Sequence, residues 1–297
     1  MEDVVIVSAC RTAIGKHGGG LKGLSALDLT IPLMQEVMNR AGVDPEFIDD
    51  VIWGCNYQKT YLENNLARVA AVKSGIPISV PGITVHRNCT SSMSAVQMGF
   101  YQIRCNEAKV ILAGGTDSMS NASYTVEKMR WGSRLGHAEM RDSMWDSLTS
   151  LGVGPAMGIT AENLAEEYNV TREEQDAFSV LSHQRAIQAI DSGQFRDEIF
   201  PLQVKKGKEA GIFDTDEHPR RDATLEALSA LKPAFKEGGT VTAGNASGIN
   251  DGASGLLIMS AKKAEALGAP VMAKIVSTAT VGVDPDIMGI GPVYATE

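Results

Sequence analysis

The sequence predicts a layered α/β fold with a mainly parallel sheet, broken by one long insertion. Three observations carry that expectation. Short runs rich in apolar and β-branched residues recur at residues 4–7, 51–54, 82–85 and 110–115. Between them lie segments whose apolar residues repeat at three and four, the period of a helix that buries one face. Strand and helix therefore alternate, as they do in layered α/β domains. From about residue 116 to about 240 the alternation stops.

The elements follow in order. Residues 4–7 are continuously apolar, as in a strand covered on both faces. Residues 11–20 form a loop. Its glycines lack the GxxxxGK[ST] or GxGxxG spacing of a phosphate loop, which rules out a nucleotide loop there. Ser25 can cap a helix over residues 26–41, with Leu29, Leu33, Val37 and Ala41 on one face. Pro32 has no N–H to give, so it should kink or restart that helix. A helical turn begins at residues 45–48, a strand covers 51–54, and a helix covers 65–74, stopped by Gly75 and Pro77. The strand at 110–115 ends on two glycines, where another backbone can approach.

Residues 119–151 are rich in Met, Ser and Gly and show no period. Helices are predicted at 160–168 and 172–192, the second opened by a capping box of Thr171 and Glu174. Residues 198–204 read as a strand and 205–221 as polar turns. A long insertion in a compact domain usually builds a lid or a binding surface. Residues 240–248 are dense in small residues with hydroxyl and amide groups to offer. A last strand at 256–259 and a short helix at 261–267 lead to a boundary near 268–270, and strand-like sequence starts again at 271–281.

Composition bounds the function. The chain has 297 residues, 43% hydrophobic and 21% charged, enough for one large or two ordinary globular domains. With 27 basic and 36 acidic residues the net charge is −9, which argues against nucleic acid or an anionic membrane as the main partner. Cys10, Cys55, Cys89 and Cys105 form no CxxC pair, so neither a metal site nor a disulfide framework is expected. Free thiols suit a reducing compartment, and a cytoplasmic location is expected. The acidic start is not a signal peptide, and no apolar run approaches membrane-spanning length.

The organising stretch is His86-Arg87-Asn88-Cys89-Thr90-Ser91-Ser92-Met93. It follows the strand at 82–85. Met93, Val96, Phe100 and Ile103 then mark one apolar face of a helix running to about Cys105, and Asn88 or Thr90 can cap it. Cys89 thus stands where a strand ends and a helix begins. Helix N-termini carry partial positive charge and unpaired N–H donors, which favour a thiolate and can receive an oxyanion. On residues alone two readings stay open, an acyl-accepting nucleophile and a buried, inert cysteine.

Several segments together resemble the thiolase family, the acyl-CoA C-acyltransferases. They are residues 7–16 (Val-Ser-Ala-Cys-Arg-Thr-Ala-Ile-Gly-Lys), Asn88-Cys89 with its serines, 113–120 (Ala-Gly-Gly-Thr-Asp-Ser-Met-Ser), 157–163 (Met-Gly-Ile-Thr-Ala-Glu-Asn), 172–178, 231–235, 239–252 and 288–292. The matches run in family order over nearly the whole chain. The resemblance implies a layered thiolase-type fold with a mixed, largely parallel central sheet and an α+β loop-domain insertion. Residues 1–119 and 248–268 would form the N-terminal domain, 120–247 the CoA-binding insertion, and 269–297 the start of an incomplete C-terminal domain.

By the same resemblance Cys89 is the residue acylated by the thioester. Leu148, Met157, Arg220, Phe235, Ala243 and Ser247 would contact coenzyme A, and Met288 would border the acyl pocket. Coenzyme A and acyl-CoA are substrates, no cofactor is permanently bound, and the expected assembly is a homodimer or homotetramer. Read without the family, Phe235 and Leu148 serve equally as core, and Arg220 with Arg221 as a solvated pair. Two departures stand out. Ser92 occupies a position where the family usually has glycine, and Ala156 one where many relatives have histidine. The family's Asn-Glu-Ala-Phe, Gly-His-Pro and Cys-x-Gly-Gly-Gly boxes, which supply the activating histidine and the acid/base cysteine, do not occur in these residues. A non-catalytic acyl-CoA-binding protein and a ketoacyl-synthase-type condensing enzyme are the alternatives.

Overall fold

The computed structural model describes residues 2–59, 62–149, 152–206 and 209–297. Residues 150–151 and 207–208, inside stretches predicted to be irregular, lie outside the described residues. The chain divides into two units. The first is Met1–Asn121, Phe195–His218 and Ile249–Thr278; the second is Ala122–Gln194, Pro219–Gly248 and Ala279–Glu297.

In chain order the elements begin with β1 (Val4–Thr12), β2 (Gly15–Lys16), α1 (Ala26–Ala41), β3 (Asp50–Gly54), α2 (Leu66–Lys73), β4 (Gly82–Val85), α3 (Ser91–Arg104) and β5 (Val110–Ser118). The second unit then supplies β6 (Tyr124–Val126), β7 (Met140–Asp142), α4 (Ser143–Thr149), α5 (Met157–Glu167) and α6 (Arg172–Asp191). The chain returns to the first unit with β8 (Ile199–Phe200), β9 (Leu202–Lys206) and β10 (Glu209–Phe213). After α7 (Leu225–Ser229) in the second unit come β11 (Asn250–Ser260), α8 (Ala261–Leu267) and β12 (Ala273–Ile275) in the first, and α9 (Gly291–Thr296) in the second.

Residues alternate between the two faces of a strand. Val5, Val7, Val51, Trp53, Val110 and Leu112 face one way, into a core shared with α1 and α2. Val4, Ile52, Ile111, Ala113 and Ile258 face the other, packing on Ala95, Phe100 and Ile103 of α3. Both faces are covered, which explains the unbroken apolar runs. The main sheet runs β12-β1-β11-β5-β3-β4. The α/β layering is present and the sheet is mixed: β5, β3 and β4 are parallel, and β11 lies antiparallel between β1 and β5.

Helix α1 covers residues 26–41, with a Ser25–Asp28 capping box. It is one continuous helix through Pro32, contrary to the expected kink or restart. The proline costs about 3 kcal/mol. Burying Leu29, Leu33, Met34 and Val37 completely outweighs that, at roughly 1.5–3 kcal/mol each. The face of α3 also differs from the sequence reading. Met93 is 73% exposed, and the buried positions are Ser91, Ser94, Ala95, Gly99, Phe100 and Ile103. Small residues let the helix lie close to the sheet, so the buried face is narrow and poor in large side chains.

Residues 195–218, assigned to the insertion by the sequence reading, fold with the first unit. Arg11 grips Asp216 through two nitrogens (2.8 and 3.0 Å) and Glu198 through Nε (2.8 Å), and β8 pairs with β1. The stretch read as polar turns contains β10, which pairs with β9. Residues 279–297 group with the second unit, where the Asn163 amide donates to the Asp286 carbonyl (2.9 Å). Of the strand-like 271–281, only β12 is a strand.

Candidate active site

The parallel strands β3, β4 and β5 deliver their carboxyl ends to one place, where open α/β sheets gather ligands. A cavity of about 360 Å³ opens there, lined by Gly54 and Asn56 after β3, Asn88 and Cys89 after β4, Ser91 and Ser92 of α3, Gly115 and Asp117 of β5, and Asn250 to Ser254 of β11. Arg11 also reaches it. Cys89 is exposed, so the reading of it as a buried cysteine fails. Cys10 and Cys55 are the buried thiols. Burial pushes the Cys10 thiol up to about 12. Burial, and then the nearby Asp117 carboxylate, pushes Cys55 up as well.

The loop bearing Cys89 is wound tightly. Asn88 sits at φ 47°, in the left-handed region that asparagine tolerates. The Thr90 amide donates to the Arg87 carbonyl and the Ser91 amide to the Asn88 carbonyl, both at 3.1 Å. These two amides, expected to await an oxyanion, are engaged inside the turn. Neither expected cap operates: Thr90 occupies the N-cap without a side-chain cap bond, and its hydroxyl donates to the Arg87 carbonyl (2.9 Å). Ser91 does the binding instead. Its Oγ accepts from the Arg87 amide (2.8 Å) and lies within donating distance of the Asn88 carbonyl (2.6 Å) and Asn56 Oδ1 (2.9 Å).

Glycines admit the start of α3. A Cβ on Gly54 would stand 2.6 Å from the Ser92 amide nitrogen, and one on Gly115 would stand 2.6 Å from Ser92 Cβ. Ser92 therefore fills the space these glycines leave. Asp117 is the half-buried carboxylate of the cavity. It accepts from the Asn56 amide (2.9 Å), Asn56 Nδ2 (3.1 Å) and the Tyr57 amide (3.2 Å). Burial pushes its carboxyl up, opposed by the two backbone amides. Sequence reasoning missed Asn56, Asp117, Asn250 and Asp251. The available signal was their place beside strand ends flanked by glycines.

The other predicted residues all lie in the second unit. Leu148 is half-buried on α4 and Met157 half-buried at the first position of α5, where Ala156 occupies the N-cap with no side-chain bond. Next to Met157, Gly158 lets the Phe235 ring pack directly on α5; a Cβ there would stand 2.2 Å from the ring. Phe235 remains 45% exposed. Arg220 is exposed and pairs with Asp222 (3.2 Å), while Arg221 is held by Asp191 (2.6 Å). Ala243 and Ser247 are exposed on the loop at 240–248. Glu162 of α5 anchors that loop by accepting from the Thr240 amide (2.9 Å) and the Val241 amide (2.8 Å). Asn245 Nδ2 ties it to Asp176 of α6 (2.9 Å). Met288 is 37% exposed on the turn at 285–290. Among the described residues no cluster of His, Cys, Asp and Glu could hold a metal, and no helix is long and apolar enough to cross a membrane.

Comparison with known proteins gives consistent findings. Residues 4–262 match the family model described as thiolase, N-terminal domain. The chain is 51% identical to an acetyl-CoA acetyltransferase of Pseudomonas aeruginosa, over all of this chain and 76% of that protein. Among solved structures, the Bacillus anthracis acetyl-CoA acetyltransferase matches with a TM-score of 0.96 at 46% identity, covering 100% of this chain and 75% of that one. Human mitochondrial 3-ketoacyl-CoA thiolase in complex with CoA matches with a TM-score of 0.94 at 41% identity, covering 99% and 74%.

Proposed function

The chain belongs to the thiolase family of acyl-CoA C-acyltransferases, and from that premise we propose that Cys89 is the residue that carries the acyl group. One observation supports this above all. Cys89 is exposed beside an open cavity at the carboxyl end of a parallel strand, just before a helix. Cys10 and Cys55 are sealed in the core.

The chemistry is acyl transfer through a covalent intermediate, which splits one hard step into two easier ones. The Cys89 thiolate attacks the thioester carbonyl. A carbon–sulfur bond forms to Cys89, the bond to the coenzyme sulfur breaks, and coenzyme A leaves carrying that electron pair. The acyl group then passes to coenzyme A, or condenses with a second acetyl-CoA. The second unit would hold the coenzyme. Arg220 would meet phosphate, Phe235, Leu148 and Met157 would line the pantetheine arm, and Ala243 and Ser247 would flank its amides. Met288 would border the acyl group. The working form is at least a dimer and acts in the cytoplasm.

Incubation of the 297-residue chain with acetyl-CoA, followed by intact mass, tests the proposal. The expected result is slow uptake of one acetyl group, lost in Cys89→Ser. Efficient thiolysis is not expected, because these residues contain none of the boxes that the resemblance credits with acid/base work. No acetyl uptake at all, or uptake that survives in Cys89→Ser, would overturn it.

A further inference from the structure

A continuous set of hydrogen bonds joins the half-buried Asp117 carboxylate to the nucleophile loop. Asp117 grips Asn56 at two points, backbone amide and Nδ2 (2.9 and 3.1 Å). A carboxylate can only accept, so the Asn56 amide group has one permitted orientation, with Nδ2 towards Asp117 and Oδ1 away. Oδ1 then meets the Ser91 hydroxyl at 2.9 Å. With its one proton given to Oδ1, the Ser91 oxygen accepts from the Arg87 amide (2.8 Å), two residues before Cys89. Ser91 is 4% exposed, and the bonds it makes are part-buried at the wall of the cavity.

We propose that Asp117 and Asn56 are positioning residues that act through Ser91 to set the loop carrying Cys89. Neither needs to touch the substrate. Asp117 orients the Asn56 amide, and Asn56 fixes Ser91. Ser91 then holds a tight turn whose Asn88 already sits in the left-handed region. Losing any link lets the turn relax and moves the sulfur from its place over the cavity. A displacement of about 1 Å at a reacting atom can cost on the order of a hundredfold in rate. The assignment rests on Cys89 being the acyl acceptor, and its test has a separate readout.

That readout is alkylation of Cys89 by iodoacetamide in the full 297-residue chain, with the exposed Cys105 as internal reference. Asn56→Ala and Ser91→Ala should each slow Cys89 about tenfold relative to Cys105. The double variant should be no slower than either alone, since both cut one path. Asp117→Asn, which puts a donor where an acceptor is required, should slow it too, and Ser91→Thr, which keeps the hydroxyl, should restore the rate. Multiplying effects of about a hundredfold in the double variant, rates unchanged from the parent, or a Ser91→Thr chain as slow as Ser91→Ala would overturn the relay. Failure of the parent chain to take up acetyl would overturn the reading of Cys89 as acyl acceptor, while the alkylation series would still judge the relay.

Discussion

At the scale of the residue, the four cysteines divide by environment. Cys89 and Cys105 are exposed, and Cys10 and Cys55 are buried. Native alkylation near neutral pH should therefore label the first pair and spare the second, as peptide mass mapping would record. The buried pair also sets an alkaline limit. Cys10 is raised from 9.0 to about 12, and Cys55 is raised in the same direction. A raised folded value favours the protonated thiol in the native state. That contribution is complete below pH 9 and is lost as pH rises towards about 12, because unfolded thiols ionise while the buried ones resist. Denaturant midpoints measured across this window should fall, and Cys10→Ala should flatten the fall.

At the scale of the element, the structure explains how a loop of small residues becomes a firm surface. The stretch at 240–248 has no regular secondary structure of its own. Glu162, 4% exposed, supplies acceptors for the Thr240 and Val241 amides. Asp176, also nearly buried, is paired with Arg172 (2.7 Å) and accepts from Asn245. Glu162→Ala strands the buried Val241 amide and the part-buried Thr240 amide, which should destabilise the second unit by about 2–4 kcal/mol. Hydrogen exchange should then show faster opening at residues 240–247 than elsewhere in that unit. Helix boundaries such as α1 and α6 were legible in the sequence because capping boxes and apolar spacing are local signals. The exposed flank of α3 was not. Met93 fits the helical period, but close packing on the sheet selects small residues, and a period cannot tell which side the sheet lies on. The short α4 and the turns after residue 284 were missed because they are too short to show a period.

At the scale of the whole molecule, the layered α/β architecture was legible from alternation alone, since each strand and helix announces its own period. The order of the sheet was not, because β11 inserts between β1 and β5 after more than a hundred intervening residues. The attachment of residues 195–218 to the first unit depends on Arg11 finding Asp216, a pairing across 205 positions that no local pattern encodes. The site was legible in part. Cys89 stood out by its place between strand and helix. Asn56 and Asp117 did not, because their roles come from three strand ends meeting. The most direct measurement of the central claim is peptide mapping after incubation with isotopically labelled acetyl-CoA. The account predicts label on the peptide containing Cys89 and none on those containing Cys10, Cys55 or Cys105. Label on Cys105 instead, or on no cysteine, would contradict it.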